Sequence, residues 1–78
     1  MDKETIKTKT IEIFSECFNS EAPDELETPF SEIDAWDSIG NVGFLNKLQE
    51  EFKIKFKMQD LVNFASLFDV VEAISSKL

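Results

Sequence analysis

Seventy-eight residues suffice for one domain with a modest core, at a size where surface outweighs interior and packing must be efficient. Sixteen acidic residues against eight lysines, with no arginine, set the formal net charge at −8 and exclude the basic face that nucleic-acid binding needs. The absence of histidine removes the usual neutral-pH general base and nitrogen metal ligand, and a single cysteine cannot build a zinc or iron–sulfur site.

The remaining exclusions narrow the setting. No run approaches membrane-spanning length, and Met1-Asp2-Lys3-Glu4 lacks the basic start and apolar stretch of a secretory signal. Cys17 cannot pair within the chain and falls among apolar residues, where a buried thiol behaves as a small hydrophobe. The expectation is a cytoplasmic monomer, 1–78 forming one domain, with no membrane partner.

Asp2 is a plausible cap for a first helix, in which Ile6, Ile13, Phe14, Cys17 and Phe18 recur on one face. It should stop near Asn19-Ser20, before Pro23, whose ring and missing N–H oppose continuation. Residues 19–37 then form a long polar connection pinned by Leu26, Phe30, Ile33 and Trp36. Four large apolar residues argue for an ordered loop laid across a bundle, with a short helical turn through Ser31 to Ala35.

The next stretch, Trp36 to Phe52, organises the chain. At about 100° per residue, Phe44, Leu48, Asn41, Phe52 and Leu45 share one sector, the core face of a second helix. Ile39, Val42 and Asn46 fall on the far side, so two branched apolar residues face water or a partner. Ser38, at the helix entry, occupies a common N-cap position, and Asp37 beside it reads equally as a capping acid. Gly40 and Gly43 each cost about 1 kcal/mol relative to alanine in a helix interior, so packing must hold this helix.

Lys53 to Met58 alternates like an amphipathic strand, but no second alternating segment exists to pair with it. An extended linker burying Ile54 and Phe56 is the better reading, followed by a short helix from Gln59 to Phe64. Ser66 with Asp69 three residues on resembles a capping box opening a last helix, with Leu67, Val70, Val71 and Ile74 inward and Leu78 closing or fraying it. The architecture expected is all-α: a four-helix bundle with a long first loop, a short third helix and a Phe-rich core.

Little chemistry is available to these side chains. Asp37 is too weak a base at its ordinary pKa to activate Ser38 unaided, and no triad partner exists. Glu32, Asp34 and Asp37 lack the spacing and central glycine of a calcium loop, which leaves at most a weak surface site and no metal assignment.

Asp37-Ser38 followed by aliphatic Ile39, then a helix ending Leu48-x-x-Glu51-Phe52, resembles the acyl carrier protein family and its peptidyl and aminoacyl relatives. The resemblance covers nearly the whole chain. It implies a carrier that is not itself an enzyme: a phosphopantetheinyl transferase moves 4′-phosphopantetheine from coenzyme A onto Ser38, and the arm's thiol carries an acyl or aminoacyl group as a thioester. Asp37 matches the aspartate that helps the transferase and its magnesium ion engage. Ile39 and Val42 match partner-contact positions on the recognition helix, with Asn46, Glu50 and Glu51 extending that face. The partners implied are the transferase, an acyl- or aminoacyl-loading ligase, and a downstream synthase or transferase in fatty-acid or secondary-metabolite biosynthesis.

Charge supports a basic docking partner, since between Lys9 and Lys47 the chain carries nine carboxylates and no lysine, leading directly to Ser38. Departures from the pattern bear on pathway. Gly40 and Gly43 stand where fatty-acid carriers often have acids, and Lys53, Lys55 and Lys57 lie near the usually acidic third helix. The Trp36-Asp37-Ser38 start and Gly40 are more similar to stand-alone carriers of one biosynthetic cluster, or to D-alanyl carriers. Eight phenylalanines filling the bundle point to short or amino-acid cargo. The alternative reading is a non-catalytic acidic adaptor that binds a partner through the Ile39/Val42 face.

Overall fold

The computed structural model describes residues 2–33 and 36–78, and only the backbone at Ser38 and Ile39. Four α-helices run in order, α1 (Lys3–Phe18), α2 (Ser38–Phe52), α3 (Met58–Asn63) and α4 (Leu67–Lys77), with one 3₁₀ turn at Phe30–Glu32 in the first loop. The all-α expectation holds with boundaries within a residue or two. Lys53–Lys57 forms no strand.

Asp2 caps α1 by accepting the Thr5 N–H at 2.8 Å. Asn19 ends the helix in the left-handed region at φ 50°, which asparagine tolerates better than most residues. Ile6, Ile13 and Phe14 are buried as expected, and so is Thr10, whose hydroxyl donates to the Ile6 carbonyl at 2.7 Å and needs no other partner. Cys17 is exposed, against expectation. It lies in the last turn, where the Phe18 ring enters the core against Trp36 and Phe44 and leaves the thiol outside.

The long loop is ordered by its apolar residues. Leu26 and Phe30 are buried, while Ile33 and Trp36 are partly buried against the core. Two backbone bonds tie the loop to the junction before α4: Phe30 N–H to the Ala65 carbonyl at 2.8 Å and Phe68 N–H to the Leu26 carbonyl at 3.0 Å. The turn expected through Ala35 begins one residue early, at Phe30, and Asp34 and Ala35 lie outside the described residues.

Core-facing Phe44, Leu45, Leu48 and Phe52 of α2 are buried against α1 and α4, whose Leu67, Val70, Val71 and Ile74 complete the interior. Asn41 is only half-buried. Past α2, Lys53 turns the chain at φ 56°, and Gln49 then anchors the linker by accepting the Phe56 N–H at 3.0 Å. Ile54 and Phe56 are half-buried, and Phe56 packs edge-on against Phe64. The capping box at α4 is shifted: Asp69 accepts the Ala65 N–H at 2.9 Å, and Ser66 makes no side-chain cap bond.

Gly40 corrects the cost assigned to it. A Cβ there would press into the Phe18 ring and stand 3.0 Å from the Asp37 carboxylate, so the glycine admits the close approach of α1 to the start of α2. Gly43 has open space around it and keeps the expected penalty.

Candidate functional site

The start of α2 is set by Asp37. Its backbone is extended (φ −144°, ψ 167°), its carboxylate accepts the Gly40 N–H at 2.5 Å, and its carbonyl accepts the Asn41 N–H at 2.9 Å. Those are the bonds of an N-cap. Ser38 is therefore the first helical residue and does not hold the cap position, which corrects the capping role considered for it. Its hydroxyl, and the Ile39 side chain, lie outside the described residues, so the exposure expected of both is not described.

An aromatic cluster positions this entry. Trp36 stacks on Phe30 with ring centroids 3.7 Å apart and planes 2° from parallel, and lies 5.1 Å from Phe18. Phe14 meets Phe44 edge-on at 5.7 Å behind them. Rings from α1, the loop and α2 thus fix the chain two residues before Ser38.

The remaining predicted contact residues divide between two sides of α2. Val42, Asn46 and Glu50, spaced by four, are exposed on one face, with Val42 retaining 59 % of its accessible surface. Glu51 is also exposed but turns toward α1, where its carboxylate lies 4.0 Å from the Lys9 ammonium.

A cleft of about 470 Å³ opens beside the first turn of α2, walled by Phe30, Trp36, Val42, Leu45, Leu61 and Phe64. Trp36 and Asn41, two residues before and three after Ser38, both line it. The contributions of Leu61 and Phe64 were not legible in the sequence, because the cleft is assembled from three segments distant in the chain. Their one local signal is that α3 buries none of its residues, so its apolar side chains face outward or into the cleft. Among the described residues no group of three or more acidic or cysteine side chains is placed to hold a metal ion.

A helical bundle with an Asp-capped serine opening its second helix has the form of a prosthetic-arm carrier. The phosphopantetheine attachment site family matches residues 9–74, and the chain belongs to that family. Comparison with curated proteins gives no significant match. Family membership makes the chain a carrier for a covalently attached 4′-phosphopantetheine arm, which engages a phosphopantetheinyl transferase and biosynthetic enzymes. Carrier domains of this family are not themselves catalytic. No helix among the described residues is long and apolar enough to cross a membrane.

Proposed function

We propose that Ser38 bears the arm, and that residues 1–78 act as one carrier unit passing a short acyl or aminoacyl thioester between partner enzymes. The observation that carries this reading is the position of Ser38 at the first turn of α2, immediately after the Asp37 cap, within a chain that belongs to the carrier family. First-turn N–H groups and the positive end of the helix dipole favour the negative charge of a phosphodiester attached there. Once bound, the arm supplies the thiol on which cargo rides. The protein's own residues cap and orient the attachment point and present the surface that partners read.

Asp37, Ile39, Val42, Asn46, Glu50 and Glu51 are the contact residues in this reading, offered first to the transferase, then to a loading ligase and to a downstream synthase or transferase. Supporting it, Val42, Asn46 and Glu50 stand exposed along one face of α2. Short cargo is favoured because Phe14 and Phe44 fill the interior with no exposed surface, and the apolar space beside α2's first turn is an open cleft lined by Trp36. The single free thiol of Cys17 suits a reducing compartment and so supports a cytoplasmic setting.

The adaptor reading shares the exposed Val42 but needs no hydroxyl at position 38. Replacing the gene in its native host with a Ser38→Ala version separates the two. The carrier reading predicts a phenotype equal to deletion, whereas wild-type growth and product formation would overturn it in favour of the adaptor.

A further inference from the structure

We propose that the linker and α3 form a second docking surface, which takes a partner protein whose own docking face is acidic around an apolar centre. Three lysines follow α2 at alternate positions, Lys53 at the left-handed turn that ends the helix and Lys55 and Lys57 beyond it, and exposure alternates with them: Lys53, Lys55 and Lys57 are exposed while Ile54 and Phe56 are half-buried. The inner residues hold the segment to the bundle, Phe56 through its ring contact with Phe64 and its N–H bond to Gln49. Three exposed ammonium groups are thereby gathered within five residues of chain. None of the three has a carboxylate partner within ion-pair distance among the described residues.

The fold accounts for only one of these charges. Lys53 follows the C-terminus of α2, where a cation is favourable. Lys57 stands at the opposite kind of position, the N-cap of α3, where a cation is unfavourable and Asp60 offsets it. Lys55 lines a shallow depression with the exposed Glu50 and forms no ion pair among the described residues. In a chain of net charge −8 this is a local reversal of sign. It continues without a break into apolar surface: Met58 and Val62, one turn apart on α3, retain 74 % and 72 % of their accessible surface.

Charge selects the occupant. A membrane or a nucleic acid presents an extended negative field that would also repel the sixteen carboxylates, whereas a protein can confine its acids to a patch that meets three lysines. The apolar pair then supplies burial at the centre of the contact and the lysines its rim. Its lysines reverse the sign of the acidic approach to Ser38, so partners of opposite charge would read different residues of the carrier.

The test uses the full chain without its arm, so that it succeeds or fails independently of attachment at Ser38. The isotopically labelled protein is titrated with an amphipathic helical peptide of glutamates around a leucine stripe, with the same peptide carrying lysines, and with phosphatidylglycerol vesicles. The expected result is amide shifts confined to 53–62 with the glutamate peptide, weakened by salt and at least about tenfold weaker in K53E/K55E/K57E. Met58→Ala/Val62→Ala weakens it as well. The single variant Lys55→Glu, fully on the surface, gives a smaller loss in the same direction should the triple reversal fail to fold. Shifts elsewhere, undiminished binding by the reversed variants, equal binding of the lysine peptide, or binding of vesicles but not of the glutamate peptide would each overturn the proposal.

Discussion

At the scale of single residues, the two glycines of α2 look alike in sequence and differ in the folded chain. Gly43→Ala places a methyl in open space and should raise stability by about 1 kcal/mol through helix propensity. Gly40→Ala gains the same term but forces its methyl against Phe18, a ring already locked between Phe14 and Trp36, and overpacking of this kind costs about 1–3 kcal/mol. A net loss of about 1 kcal/mol is expected. Urea unfolding of the two variants checks both signs, and an equal gain in each would refute the close approach. Cys17 differs from its sequence reading in a similar way. Although exposed, its thiol is held above the usual value by partial burial and by the neighbouring Glu16 carboxylate, with Lys47 opposing. It should react with an alkylating reagent at pH 7 more slowly than a free cysteine does, since only the thiolate attacks.

At the scale of elements, periodicity and caps identified α1, α2 and α4, because amphipathic spacing and the Asp2 and Ser66 signals are local, while the short α3 was placed by its position after the linker. What stayed hidden depends on contacts between elements. The wheel placed Cys17 inward from its angle alone, but burial at a helix end depends on which side chain a neighbour covers, and Phe18 takes that place. The same limit concealed the junction of α3 and α4, where Asp60 accepts from the Lys77 ammonium and the Lys57 N–H, both at 2.8 Å. The Lys77 bond first, then the Lys57 N–H, hold the Asp60 carboxyl below its usual value of 3.8. A carboxylate depressed in the folded state contributes stability that is fully present above the unfolded value and is lost as pH falls through the folded one. Asp60→Asn should therefore lower the midpoint of thermal unfolding at neutral pH and leave it unchanged once pH is below the depressed value. Melting curves across the acid range check this, and a difference that persists undiminished at the acid end would contradict it.

At the scale of the whole molecule, the radius of gyration of 11.3 Å equals that of a folded chain of this length, about 11.5 Å. The loop contributes to it as much as the helices do. Its bonds to Ala65 and Phe68 and its stacked Phe30 and Trp36 brace the start of α2 from outside the bundle. That bracing was partly legible, since four apolar residues in a polar loop have to pack somewhere, while the cleft they help enclose was not. The entry to α2 was legible almost in full: aspartate, serine and an aliphatic residue ahead of an amphipathic run stated both the helix start and the family. Only which of Asp37 and Ser38 caps the helix needed coordinates. With Asp37 in the cap position, the role proposed for Ser38 as the arm's attachment point does not compete with capping. The most direct measurement is intact mass after incubation with coenzyme A and a broad-specificity phosphopantetheinyl transferase. The wild-type chain should gain the mass of one phosphopantetheine arm and Ser38→Ala none, whereas an unmodified wild type across several transferases, or an arm on Ser38→Ala, would contradict the account.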